Sequence, residues 1–190
     1  QAERMLADGA DLLDVGGEST RPGSEGVPLA EELQRVVPVV RALSARLPVP
    51  ISWDTTKSDD ARQALEAGAT LVNDVSGLRF DPAMAATASA AGAAVVVMHL
   101  QGTPRTMQQA PHYDDLLGEV CAALRASTAT AVQAGIPREQ VVVDPGFGFG
   151  KTPAQNLALL RRLRELTSLG QPVLVGTSRK STIGAVLGGL

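Results

Sequence analysis

Aromatic side chains are scarce in this chain, at 3% of 190 residues, so a surface that stacks bases is not expected. The net charge of −3 gives no electrostatic footing for nucleic acid. Cys121 is the only cysteine, which excludes an internal disulfide and a cysteine metal cluster. A reducing, cytoplasmic setting is the expectation that follows. The two histidines, His99 and His112, stand apart and form no metal signature. No apolar run approaches the ~20 residues needed to span a bilayer, and the N-terminal residues do not read as a signal peptide.

What is present is an ordinary globular balance, 44% hydrophobic and 19% charged. The length suits one sizeable core, so residues 1–190 are expected to form a single domain. Its ends read as cut. Gln1 is not a start methionine, and the helix-like pattern after Ile183 runs to the last residue. A fragment of a longer chain is expected.

Six short apolar runs recur, at 12–15, 51–53, 71–72, 94–98, 141–143 and 173–175. They are continuous rather than alternating, as parallel strands covered on both faces require. Helical segments are predicted between them, at 29–47, 61–67, 83–91, 116–134 and 154–169, with Pro38 kinking the first. Gly68, Gly92, Gly135 and Gly170 stand where helices should end. Such alternation means a parallel α/β architecture. An open sheet gathers its site at one switch point, whereas a barrel draws on the ends of many strands. Here every run ends in polar residues, which favours a (β/α)8 barrel lacking roughly its first and last strands.

The densest motif is Asp144-Pro-Gly-Phe-Gly-Phe-Gly-Lys151. A P-loop would need glycine where Pro145 stands, and Asp144 would set a negative charge beside the phosphate. Asp54, Asn73 and Asp144 follow three different strands. Carboxylates accept hydrogen bonds while Asn both donates and accepts, so together they suit a flat heterocycle with adjacent N–H donors. Any one of them alone reads as a helix-capping residue. Arg21, in Glu18-Ser-Thr-Arg-Pro-Gly-Ser24, can pair with an anion or lie in a solvated loop. Ser178-Arg179-Lys180 can face an anion or an electron-rich ring, or simply open a helix. His99 reads as a packed strand-end residue, Trp53 as core between strands and helices, and Cys121 as a small buried side chain.

Six segments in order resemble the dihydropteroate synthases: Asp14-Val-Gly-Gly-Glu-Ser-Thr-Arg-Pro-Gly23, Trp53-Asp-Thr-Thr-Lys57, Val72-Asn-Asp-Val75, Met98-His-Leu-Gln-Gly102, the glycine motif, and Gly176-Thr-Ser-Arg-Lys180. The resemblance implies a (β/α)8 barrel joining 6-hydroxymethyl-7,8-dihydropterin pyrophosphate to 4-aminobenzoate, with release of pyrophosphate. It implies catalytic roles for Asp54, Asp144 and Lys180 in the pterin pocket, with Asn73 beside them and Met98 against the ring. Thr20 and Arg21 would close on 4-aminobenzoate and pyrophosphate, flanked by Phe149 and Ser178. It also implies Mg²⁺, with its ligand in a preceding segment and none in this chain, and a homodimer at full length. Trp53 departs from the family, where a small aliphatic residue is usual. The isolated chain is expected to be inactive and poorly folded, with open strand edges. Two rival readings remain: a pterin-binding corrinoid methyltransferase, and an inactive truncated copy.

Overall fold

A computed structural model describes residues 1–19 and 26–188. A short helix, α1 (Ala2–Ala7), precedes a regular alternation. The strands are β1 (Leu13–Gly16), β2 (Ile51–Asp54), β3 (Leu71–Asp74), β4 (Ala94–Met98) and β5 (Val141–Asp144). The intervening helices are α2 (Leu29–Ser44), α3 (Ser58–Glu66), α4 (Met84–Ala90) and α5 (Leu116–Gln133); α6 (Pro153–Arg161) and α7 (Ser181–Val186) follow β5.

All pairings are parallel, and strand order equals chain order. Each helix from α2 to α5 packs on its successor, and the strands lie beneath them. An open doubly wound sheet reverses its strand order and carries helices on both faces. Unbroken order with one helical layer is the arrangement of a (β/α)8 barrel wall, of which these strands form an arc.

The two faces of the arc differ sharply. Trp53, Val72, Val95, Val97, Val141 and Val143 point outward and pack against Val36, Val40, Ala64, Met84, Val120 and Leu124 of the helices. Fully burying one such aliphatic side chain is worth about 1.5–3 kcal/mol. Trp53 is completely buried, and its Nε1–H donates to Asp60 of α3 at 2.8 Å. The unusual tryptophan is therefore accommodated in the outer core, away from the inner face. The alternate strand positions, Asp14, Ser52, Asp54, Asn73, Val96, Met98 and Asp144, face inward.

Three sequence expectations need correction. The run at 173–175 forms no strand, only a single parallel bridge between Val143 and Val173. Pro172 has no N–H to give, and the run makes two ladder bonds before the chain turns away: Val143 N–H to Pro172 O, and Leu174 N–H to Val143 O. The helix predicted over 154–169 stops at Arg161 and continues as a 3-10 helix, Leu163–Leu169. There the Thr167 and Ser168 hydroxyls bond back to the Arg164 and Glu165 carbonyls, favouring the tighter winding. Pro38 does not interrupt α2, which is assigned continuously from Leu29 to Ser44.

Candidate functional site

Register places the inward residues at the C-terminal ends of the strands side by side. Gly16 pairs with Asp54, Asp54 with Asn73, and Met98 with Asp144. A β-carbon on Gly16 would come within 3.3 Å of the Asp54 β-carbon, so glycine leaves room for that carboxylate. Asp54 Oδ1 is shielded from solvent and has no hydrogen-bond partner among the described residues. Burial, then the negative charges of Asp14, Asp74, Glu32 and Glu18, push its pKa up to about 8. The Asn73 amide donates to Asp14 Oδ2 at 3.4 Å.

Asp144 is buried at the end of β5, and its Oδ1 accepts the Gly146 N–H at 2.7 Å. Burial raises its pKa to about 6, opposed by that N–H and by the Lys180 and Lys151 ammoniums. Lys180 arrives from the far end of the chain as the residue capping α7, and its Nζ lies 4.0 Å from the Phe149 ring centroid. Burial lowers the Lys180 pKa, while Asp144 and Asp54 oppose the shift. One ammonium thus sits within reach of both carboxylates' fields. Met98, Val75, Leu100, Met107 and Phe149 form an apolar cluster beside them. Ser178 lies exposed in the loop just before Lys180, next to Arg179 with φ of 56°.

The predicted residues Asp54, Asn73, Met98, Asp144, Phe149 and Lys180 are therefore brought to one mouth. Thr20 and Arg21 lie outside the described residues. The chain on either side of them is anchored: Lys57 Nζ donates to Glu18 Oε2 at 2.6 Å, Glu32 Oε2 at 2.7 Å and Val27 O at 2.8 Å. Val27 N–H also donates to Glu18 Oε2 at 3.0 Å. A cleft of about 420 Å³ opens here, with Asp54, Lys57, Phe80 and Arg105 in its lining.

Sequence reasoning missed two lysines. Lys57 had the family motif as its only signal. Lys151 is 2% exposed, although a lysine at a helix start ordinarily reads as a surface charge. His99 fits its expected role: it is buried, and burial with the nearby Lys151 and Arg79 cations drives its pKa down to about 3. A β-carbon on Gly146 would collide with the His99 carbonyl oxygen, and one on Gly148 would meet Lys180 Cδ at 3.0 Å. These glycines let the loop pack on its neighbours. Among the described residues, no group of three His, Cys, Asp or Glu side chains converges to hold a metal ion.

Residues 1–189 match the family of pterin binding enzymes. The chain is 50% identical to the dihydropteroate synthase of Synechocystis sp. over 98% of its own length and 65% of that relative's. It superposes on the dihydropteroate synthase of Yersinia pestis, solved with a sulfonamide drug complex, with a TM-score of 0.96 and 46% identity. That match covers 98% of this chain and 68% of the other. The Thermus thermophilus enzyme in complex with 4-aminobenzoate gives a TM-score of 0.90 at 52% identity, covering 98% and 70%. Against the first two curated relatives, the chain spans 65% and 66% of their length. An arc of barrel wall, a pair of carboxylates at its mouth and these likenesses agree: the chain belongs to the pterin-binding enzyme family, alongside the dihydropteroate synthases.

Proposed function

We propose that the protein condenses 6-hydroxymethyl-7,8-dihydropterin pyrophosphate with 4-aminobenzoate to give dihydropteroate and pyrophosphate. One observation carries the reading furthest: beside Asn73, Asp54 presents a shielded carboxyl oxygen with no partner among the described residues, at the mouth that also holds Asp144. An unpaired buried acceptor costs stability, and a ligand N–H donor removes that cost. A pterin ring offers such donors next to a carbonyl oxygen, matching two carboxylates and an amide.

In the reaction, the bond from the exocyclic carbon to the pyrophosphate oxygen breaks, and pyrophosphate leaves with the electron pair. Positive charge builds on that carbon and spreads into the ring. Asp54 and Asp144, fixed in place beforehand, stabilise the charge without reorganising during the step. Lys180 meets the ring's carbonyl edge, Asn73 fixes the pterin's orientation, and Met98 packs on its face. The aniline nitrogen then forms the new C–N bond and releases a proton. Because this amine is a weak base, alignment matters more than deprotonation. Phe149 and Ser178 flank the aminobenzoate, while Thr20 and Arg21 hold its carboxylate and the leaving pyrophosphate.

Mg²⁺ is proposed as the pyrophosphate's counter-charge. The described residues do not assemble a site for it, so no ligand is assigned and no step runs through it. Cytoplasmic location and a homodimer complete the proposal. The lone, buried Cys121 supports the former, and the exposed Ile183 and Val186 of α7 support the latter. The test is incorporation of labelled 4-aminobenzoate by the intact protein, with pyrophosphate measured stoichiometrically. Methyl transfer to a corrinoid instead, or no turnover with either substrate set, would overturn the reading.

A further inference from the structure

Lys151 is an ionisable group that the proposed chemistry leaves unused, and its surroundings are unusually complete. An ammonium has three N–H donors. Burial lowers the Lys151 pKa to about 7, opposed by Asp144, and its ammonium form meets three acceptors: His99 Nδ1 at 3.0 Å, Phe149 O at 3.0 Å and Gly146 O at 3.1 Å. Two belong to the glycine loop itself, so the side chain folds back and ties residues 146 and 149 together. The third belongs to the neighbouring strand end. The His99 backbone N–H also donates to the Asp144 backbone carbonyl at 2.9 Å, and the Tyr113 O–H donates to Gly150 O at 2.7 Å. The loop between Asp144 and Lys151 is thus bound to the segment after β4, with the ammonium at the centre.

We propose that Lys151 is a positioning residue: its buried ammonium sets the shape of the glycine loop, and with it the direction in which the Asp144 carboxylate and Phe149 ring face. The assignment rests on the proposed function for its consequences in turnover, but not for its structural content. The Gly146 N–H donates to Asp144 Oδ1 and its carbonyl accepts from Lys151, so displacing this residue moves the carboxylate. Phe149 lends Lys151 its carbonyl while its ring lies under Lys180. For His99 Nδ1 to accept, its ring must be neutral with the proton on Nε2, and the depressed His99 pKa agrees.

The test uses Lys151→Met, of similar length without the charge, and Lys151→Arg in the intact protein. Amide hydrogen exchange at residues 146–149 needs no substrate. It should quicken at least tenfold in Lys151→Met, with less change in the rest of the barrel wall. Under the proposed function, kcat should fall more than KM rises. The acid limb of the kcat profile should move to higher pH as Asp144 loses a nearby cation. The other groups around this centre are Lys180, Asp54, His99, Arg79 and Tyr113; of these His99 also loses the Lys151 cation that helps hold its pKa down, so its own pKa rises in Lys151→Met. Arg carries the charge but presents a planar fork, so it should recover the limb without full exchange protection. If Lys151→Met does not fold, His99→Leu, which removes one acceptor, and His99→Asn, which offers an oxygen instead, decide the matter. Exchange should quicken in the first and recover in the second. Unchanged exchange in Lys151→Met, or equal exchange in the two His99 variants, would overturn the assignment. Absence of turnover in the unmodified protein would instead count against the proposed reaction.

Discussion

Asp54 and Asp74 end adjacent strands, both are desolvated, and both have raised pKa values, yet they belong to different regions. Asp74 points away from the mouth and is satisfied by its own turn, accepting Ser76 N–H at 2.7 Å and Leu78 N–H at 3.0 Å. Asp54 points into the mouth and keeps one oxygen without a partner among the described residues. The lysines repeat the contrast. Lys151 is held by three acceptors behind the glycine loop. Lys180 stands over Phe149, with no hydrogen bond shown among the described residues, and feels both carboxylates. In these two pairs the residue in the backing shell spends its polar capacity and the one at the mouth keeps it in reserve for a ligand, although Asp60 Oδ1 and Thr128 Oγ1 in the helical layer also lack partners among the described residues. Burial alone therefore does not mark a functional acid or cation; unmet hydrogen-bonding on the inner face of the strands does.

The largest effect should come from the mouth. Asp144→Asn keeps an oxygen for the Gly146 N–H but removes the charge, so it should cut turnover at least tenfold while the melting temperature hardly moves. Steady-state rates and thermal melts on the same preparation check both halves. Near-normal turnover would sink the role given to Asp144, and a collapsed melt would move it into the shell. The converse substitution, Asp74→Asn, sets an NH2 group against a backbone N–H. It should cost about 1–3 kcal/mol of stability in urea unfolding with kcat preserved. A variant of normal stability would show that the turn does not depend on that carboxylate.

Much of this division was legible in the chain. The β-branched runs at 94–98 and 141–143 gave strands because their side chains pack on both sides of a covered sheet. Strand alternation alone sends Trp53 outward and Asp54 inward. The run at 173–175 looked equally apolar, but a strand also needs a partner along its length, and composition does not report that. Lys151 was hidden for a related reason. Its three acceptors come from His99, Gly146 and Phe149, and the histidine is 52 residues away in sequence. Local pattern reveals which residues face a site, whereas satisfaction of a buried charge is a property of the assembled fold.

The titration of Asp54 is the most direct probe of that reserve. Asp54 in the folded protein titrates near 8, well above the roughly 3.9 of an unfolded chain. A raised acid pKa stabilises the fold through the neutral form. That contribution is complete below about 4 and is lost as pH rises to about 8 and beyond. The ligand-free protein should therefore lose stability across this window relative to Asp54→Asn, which has no carboxyl to ionise there. Thermal melts of the two proteins from pH 5 to 9 make the comparison, and parallel curves would contradict it. Binding supplies the complementary sign. A pterin N–H donated to Asp54 favours the carboxylate, so at pH 7 complex formation should expel a proton. Calorimetry in buffers of different ionisation enthalpy should register that proton for the unmodified protein and lose it in Asp54→Asn. Equal proton release in both would place the responsible group elsewhere at the mouth, with Asp144, which titrates near 6, the next to test.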